Sequence, residues 1–356
     1  MKKNADRYYQ SALHYHFPVK LRPEIEGFVL HLAKRNYFFI RSNTPFNNTN
    51  SSLIARNKYH TSKILQQADI PVPLFVTLSS EYFAKSCLED EIADLRFPLV
   101  AKPCLETSKG DDVLCNIKNI HQLRQHLTKL FERYDYVNVE EYHGNLKSYR
   151  VLVFKRKVIG VVLRTSAAVM GDGEHTIGEL IEITNRKRAE ESDILKPIIV
   201  DEECEISLAE LGVSLETIPK AGEVIRLGFT SNARRGGSYL SIGKTICKEN
   251  KKLMLKAVRT LGLNLAGLDI ECEDISIPIV QSKGVIIEVN NAPSIRIHEE
   301  SPTGVPVDVT KIMMRSFMLR HPFSYAWHLL RLPQVQIYWR AIIVLLVFLG
   351  TFMFLK

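Results

Sequence analysis

Glu288 and Asn290 stand two residues apart at the end of an apolar run, Val285-Ile286-Ile287. Residues two apart on a strand share a face, so both side chains can reach one point. A carboxylate and an amide oxygen meeting at a point suit a hard cation such as Mg2+. Asn291-Ala292-Pro293-Ser294 then turns the chain, and Arg296 and His298 follow with the same alternation. Upstream, Leu265-Ala266-Gly267-Leu268-Asp269-Ile270 is a second strand-like run. Paired with the first as a neighbour, it brings Asp269 to the same cation. Taken alone, E-x-N also fits an ordinary strand that ends in water.

Elements that could position these residues follow from periodicity. Glu24 to Lys34 has helical spacing, and Tyr37-Phe38-Phe39-Ile40 reads as a strand. Asn43 to Ser52 is a polar loop, and Ser52 to Ala68 reads as one helix ended by Pro71 and Pro73. Phe97 to Pro103 is a short strand with Lys102 near its end, followed by a polar loop from Cys104 to Asp112. Ile120 to Arg133 is an amphipathic helix, and Tyr136 to Tyr142 a strand carrying Glu140 and Glu141. Ser148 to Phe154 and Val158 to Leu163 make a hairpin, and a helix starts near Thr176. Glu223 to Gly228 is strand-like, Thr230 to Gly237 a basic loop, and Lys251 to Leu261 a helix leading into the Asp269 strand. Gly237 to Thr245 has one residue too many for a phosphate-binding G-x-x-x-x-G-K-[ST] loop. Interspersed strands and helices mark an α+β or α/β protein.

The 356 residues suffice for two or three lobes. A hydrophobic share of 46% with 24% charged residues is ordinary for a globular chain. The formal charge of +8 suits a nucleic acid, an anionic membrane or a polyanionic ligand such as a nucleotide. No basic patch interleaved with aromatics, and no nucleic-acid motif, supports the first, so no nucleic-acid partner is expected. The six cysteines form no C-x-x-C pair, which fits a reduced, intracellular protein. No apolar stretch follows Met1-Lys2-Lys3, so no secretory signal is expected.

Ala341 to Leu355 is apolar throughout except Gly350 and Thr351, and Ile337-Tyr338-Trp339-Arg340 precedes it. A membrane-spanning helix needs about 20 residues, a length reached by counting from Ile337. Aromatics and arginine suit the bilayer interface. The segment 341–355 is therefore expected to be a transmembrane tail behind a basic, aromatic linker, 321–340. The alternative is a terminal helix docked on the protein.

The set Lys58, Lys102, Glu140-Glu141, Asp269 and Glu288-x-Asn290 resembles the ATP-grasp enzymes. The resemblance runs from about Ser52 to Val309. It extends in particular to the ATP-grasp module of cyanophycin synthetase and related glutamate and glutathione ligases. It rests on ARNKYHTSKILQQADIPVP, FPLVAKPCLETSKGDDV, VEEYHGNLKSYRVLVF, GDGEHTIGELIEITN, TSNARRGG, LAGLDIECEDIS and EVNNAPSIRIHEESPTGVP. It implies an ATP-grasp fold: two α+β lobes clasping ATP, a short N-terminal α/β segment at 1–51, and a C-terminal hydrophobic helix. The N-terminal and central lobe would be 52–145 and the catalytic lobe 146–320.

By the same resemblance Lys58 and Lys102 hold the nucleotide phosphates, as point charges suited to phosphate oxygens. Val139, Glu140, Glu141 and Tyr142 form the hinge that meets adenine and ribose. Asp269, Glu288 and Asn290 match the ligands of Mg2+ (or Mn2+). Arg226 or the Asn232–Gly237 loop, which bears Arg235, is expected to act over the γ-phosphate, and Arg296 to clamp a carboxylate. A structural ion pair is the alternative for each arginine. His298 is expected to pack or to line a rim. The implied activity is an ATP- and Mg-dependent carboxylate–amine ligase working through an acyl-phosphate, on a small amino-acid or peptide carboxylate and an amine acceptor. Its expected place is cytoplasmic, anchored to the inner face of the membrane by the tail. The rival is a non-catalytic nucleotide-binding scaffold, favoured by a phosphate loop with the single glycine Gly110.

Overall fold

α1 (Lys3–His14) buries Ala5, Tyr8 and Ala12, which share one helical face. The computed structural model describes residues 1–104, 112–144, 146–231 and 235–354. β1 (Val19–Arg22), β2 (Gly27–Leu32) and β3 (Arg35–Ile40) form an antiparallel sheet in that order. The helical spacing from Glu24 to Lys34 is thus overridden: its centre is β2, in which only His31 is exposed. Ala33 and Lys34, both at positive φ (54° and 59°), close the β2–β3 hairpin. That is the geometry of a two-residue type I′ turn, without the Asn-Gly signature that normally announces it.

The chain divides into two compact units, Met1–Pro45 with Asp308–Lys356, and Phe46–Val307. In the second, α2 (Thr49–Arg56) and α3 (Lys58–Gln67) replace the single helix expected over Ser52 to Ala68. Asn57 makes the break. Its backbone is extended, and its side-chain oxygen accepts from the His60 N–H at 3.0 Å, capping α3. Lys58 therefore opens a new helix.

β4 (Phe75–Ser79), α4 (Ser80–Lys85), α5 (Leu88–Glu91), β5 (Leu99–Pro103), β6 (Leu114–Ile117), α6 (Ile120–Phe131) and β7 (Tyr136–Glu141) follow. The strands form an antiparallel sheet ordered β4-β7-β5-β6. One face packs Leu99, Ala101, Val137 and Val139 against Leu123 and Leu127 of α6. Alternation sends Lys102, Asn138 and Glu140 to the other face.

β8 (Lys147–Phe154) and β9 (Lys157–Thr165) are the expected hairpin. β10 (Ala168–Met170), α7 (Ile177–Glu191), α8 (Glu202–Leu211) and β11 (Val224–Arg226) form a small layer around Ile177, Cys204 and Leu208. Thr176 and Glu179 start α7 with a reciprocal capping box. β12 (Ser238–Ile242), α9 (Lys248–Thr260), β13 (Leu265–Cys272), β14 (Val285–Asn290), α10 (Arg296–Glu299) and β15 (Thr303–Val305) come next. The six-stranded sheet runs β14-β13-β8-β9-β12-β15, with β13 almost wholly buried and central to the register. The expected alternation through Arg296 and His298 does not occur, because that stretch is the helical turn α10. Pro293 cannot donate to a ladder, and Ile295 is already in helical conformation (φ −87°, ψ −20°).

α11 (Val309–Arg320), α12 (Pro322–Leu330) and α13 (Pro333–Phe354) belong with the N-terminal unit. Phe28 and Phe39 stack at 4.6 Å, Tyr37 packs on Phe317 at 4.8 Å, and Ser11 and Thr310 hydroxyls meet at 2.6 Å.

Candidate active site

The register of four strands brings charges together. Asp269 on β13 lies opposite Glu288 on β14 and opposite Arg150 on β8, while Ser148 lies opposite Arg164 of β9. Arg150 donates through Nε to Oδ1 of Asp269 and through Nη2 to Oδ2 at 2.9 Å, and Arg164 Nη1 reaches Oδ2 at 3.1 Å. Burial pushes the Asp269 carboxyl up, but the two guanidiniums outweigh it and hold the group below the usual carboxylate range. Burial likewise works against the charge on Arg150, and Asp269 more than restores it. The site needs Gly267: a Cβ there would lie 3.1 Å from Arg150 Cδ and 2.8 Å from Pro293 Cβ.

Asn290, opposite Gly267, shares the face of Asp269 and Glu288. Among the described residues its buried amide nitrogen has no partner, and the half-buried Glu288 carboxylate takes no bond. An ionised carboxylate has about four acceptor positions. The two arginines fill three of them on Asp269, leaving one on Oδ1. The donors available are hard oxygens only, which fits Mg2+ or Mn2+. Among the described residues no three His, Cys, Asp or Glu side chains form such a group alone, so the fit depends on Asn290.

The four-stranded sheet supplies a second charged centre. Lys102 Nζ donates to Glu140 Oε1, and the two residues are 5% and 4% exposed. The Lys58 N–H donates to the Cys104 carbonyl at 3.0 Å, tying the start of α3 to the end of β5. Both ammonium groups act on Cys104, yet burial dominates and pushes its thiol up to about 12. The expected phosphate loop lies mostly outside the described residues. A cleft of about 950 Å³ lined by Asn57, His60, Thr77, Ser79 and Tyr136, among others, reaches this region at Cys104. It contains none of Asp269, Glu288 and Asn290.

The hinge candidates divide. Val139 points into the α6 core, and its backbone lies in the ladder between β4 and β5. The Glu141 N–H donates to the Leu74 carbonyl at 3.0 Å, and Glu141 Oε1 accepts from the Arg96 N–H at 3.1 Å. The Tyr142 N–H donates to the Pro98 carbonyl at 2.9 Å. The Tyr142 hydroxyl is buried without a partner among the described residues, and its ring meets Phe229 edge-on at 6.4 Å.

The arginine candidates are engaged by carboxylates. Arg226 bonds Glu210 at 3.2 Å and stacks on Phe229 at 4.5 Å. Arg235 bonds Asp201 and Glu203, the latter at 2.6 Å. Asn232 lies outside the described residues. Arg296 bonds Asp193 at 2.5 Å and Glu300 at 2.6 Å, the structural alternative foreseen for it. His298 is fully buried over Gly160, and burial drives its pKa down to about 3, so it stays neutral.

Sequence reading missed several charged residues here. Arg164 ends the apolar run Val161-Val162-Leu163 two places after Val162, a signal of a strand delivering a charge. Glu271 repeats the face of Asp269, and burial pushes its carboxyl up to about 7. Glu203 accepts from the Phe229 and Thr230 N–H groups at 2.6 Å each, shaping the loop before Asn232.

Comparison with known proteins adds three findings. Residues 55–175 match the model of the RimK-like ATP-grasp domain. The chain is 34% identical over 269 residues to cyanophycin synthetase of Synechocystis sp., covering 72% of this chain and 29% of that protein. It is 30% identical over 264 residues to the glutathione biosynthesis bifunctional protein GshAB of Listeria monocytogenes, covering 72% and 33%. The chain thus spans about a third or less of the curated relatives it matches. The crystal structure of a bifunctional glutathione synthetase from Pasteurella multocida shares the fold, with a TM-score of 0.62 at 22% identity over 90% of this chain and 44% of that one.

Two outcomes follow from the geometry. Lys102→Ala strands a buried carboxylate, so it should cost about 3–5 kcal/mol of stability. Lys102→Met with Glu140→Leu should cost much less, and equal urea midpoints for the two variants would refute the pairing. Glu271 has a folded pKa raised from 4.5 to about 7. Its contribution is therefore fully present below the unfolded value and is lost as pH rises through about 7. Glu271→Gln should flatten the fall in unfolding free energy between pH 5 and pH 8, measured by denaturant titration; an unchanged slope would contradict the buried, neutral carboxyl.

Proposed function

We propose that this chain, which belongs to the ATP-grasp superfamily through its RimK-like domain at residues 55–175, joins a carboxylate to an amine at the expense of ATP. The observation that carries this reading is the oxygen face of Asp269, Glu288 and Asn290 beside Arg150. The relatives named above, a synthetase and a biosynthesis protein, support a ligase.

In the proposed reaction a carboxylate oxygen of the first substrate attacks the γ-phosphorus, and ADP leaves. The amine nitrogen of the second then attacks the acyl carbon, loses its proton and expels phosphate. Lys58 and Lys102 hold the triphosphate; Lys102 exchanges its bond to Glu140 for phosphate oxygens as the nucleotide enters. The hinge from Val139 to Tyr142 orients adenine where it leaves the sheet after Glu141, and Glu140, once released, meets the ribose. Arg150 and Arg164 keep Asp269 ionised and fixed in direction. Arg226 and Arg235, oriented by Glu210 and Glu203, bring positive charge to the loop over the γ-phosphate. Mg2+, held by Asp269, Glu288 and Asn290, would neutralise and align the β- and γ-phosphates. A small amino-acid or peptide carboxylate and an amine acceptor are the proposed substrates.

We further propose that α13 tethers the enzyme to the cytoplasmic face of a membrane. At about 1.5 Å per residue, its 22 residues match a hydrocarbon core of about 30 Å. Pro333–Thr351 is apolar enough to span, and none of it is buried in protein. Arg315, Arg320, Arg331 and Arg340 precede the apolar stretch, in keeping with the positive-inside tendency.

A phosphate-release assay with ATP, Mg2+ and pooled amino acids and dipeptides tests the activity. Substrate-dependent release is expected, and Glu288→Gln should abolish it with little change in folding. Full turnover by that variant would remove Glu288 from the site, and release that never exceeds the no-substrate rate, with ATP still bound, would leave a scaffold. For the tether, the full chain should sediment with membranes and resist high salt; recovery in the soluble fraction would refute it.

A further inference from the structure

A surface helix normally turns its apolar stripe inward, and α12 does the reverse. After Pro322 its exposed positions are Phe323 (88%), Ala326, Trp327 (58%) and Leu330 (43%), the i, i+3, i+4 and i+7 places of one face. The opposite face is fastened by polar bonds. The Tyr325 hydroxyl donates to the Tyr15 carbonyl at 2.7 Å, and His328 Nε2 bonds the His16 carbonyl at 2.9 Å. Phe17 packs on Tyr325 at 5.0 Å. These contacts fix the rotation of the helix, so its apolar face is held outward. Leu319, at the end of α11, is 84% exposed as well.

The charge along this segment has one sign. From Val309 onward the chain contains no Asp or Glu, while Lys311, Arg315, Arg320, Arg331 and Arg340 accompany the two short helices and the start of α13. Arg331 stacks over Trp327 at 4.7 Å. Only Arg331 and Leu332 separate α12 from α13. The three residue steps from Leu330 to Pro333 reach at most about 11 Å, so the end of α12 stays close to the start of α13.

We propose that α12 lies flat in the surface of an anionic lipid bilayer, with Phe323, Trp327 and Leu330 in the acyl boundary and Arg320 and Arg331 at the headgroups. This rests on the tether proposed for α13. An apolar stripe with a tryptophan, flanked by arginines, is the composition of an in-plane interfacial helix. Acidic headgroups complement a segment that carries no acidic side chain. A second copy of this chain would have to cover the same stripe while bringing its own arginines against these, which disfavours it.

The chain has two tryptophans, Trp327 and Trp339. Trp339→Phe leaves Trp327 as the sole emitter, and Trp327→Phe leaves Trp339. Each full-length variant is reconstituted into vesicles of phosphatidylglycerol and phosphatidylcholine with brominated acyl chains. Trp327 emission should fall roughly twofold with bromines near the headgroup, less with bromines near the chain ends, and less again in pure phosphatidylcholine. If Trp339 is quenched and Trp327 is not, the tether stands and the in-plane helix is wrong. If neither is quenched, the tether fails and this inference with it. An unquenched, blue-shifted Trp327 in a chain that cross-links as a dimer would assign the face to a second copy and also overturn the proposal.

Discussion

One buried carboxylate and two guanidiniums organise the six-stranded sheet. Asp269 sits on β13, one strand in from the edge, with Arg150 on its inner neighbour β8 and Arg164 on β9 beyond it. A buried ion pair adds little stability over an apolar substitute, but losing one partner costs about 3–5 kcal/mol. The cluster therefore acts as a lock on register. A one-residue slip of β8 against β13 would turn Arg150 to the core face and strand Asp269. Gly267 keeps the backbone bare where the arginine crosses, and on the other side of β13 the ladder sets Glu288 of β14 opposite Asp269.

The same lock sets the charge of the proposed site. Two arginines and the two carboxylates of Asp269 and Glu288 cancel, and burial disfavours a third negative charge on Glu271. A triphosphate arriving here meets no net surplus of positive charge, so a divalent cation has a clear electrostatic role. The Lys102–Glu140 pair repeats the logic on the four-stranded sheet. It is satisfied by itself, and under the proposed reading it exchanges partners when phosphate oxygens arrive. The arginines near Phe229 follow suit, each pointed by a carboxylate of α8.

Much of this was legible because local pattern and tertiary role coincide. The apolar runs ending in Asp269 and in Glu288-x-Asn290 read as paired strands, and the ladder Gly267↔Asn290, Asp269↔Glu288 pairs them. Lys102 and Glu140 were readable as strand-end charges, but not as each other's partner, since 38 residues separate them. Reading failed where one residue decides. Asn57 splits a helix by capping its own successor, and Pro293 with Ile295 ends the strand pattern before Arg296. The β2–β3 hairpin turns on Ala33-Lys34, two residues with no turn signature. Arg164 was legible as a charge at a strand end but not as a partner of Asp269, because only the strand order, with β9 beside β8, brings the two together.

The central claim is that Asp269, Glu288 and Asn290 hold the cation of a metal–nucleotide complex. Electron paramagnetic resonance of Mn2+ with the intact chain reads this directly, since bound and free Mn2+ differ in signal. Asn290→Ala leaves the arginine cluster whole and removes one oxygen ligand. The account predicts that ATP promotes Mn2+ binding to the wild-type chain, and that the variant binds at least roughly tenfold more weakly, the scale of losing even a supporting ligand. Equal Mn2+ binding by wild type and variant in the presence of ATP would contradict it.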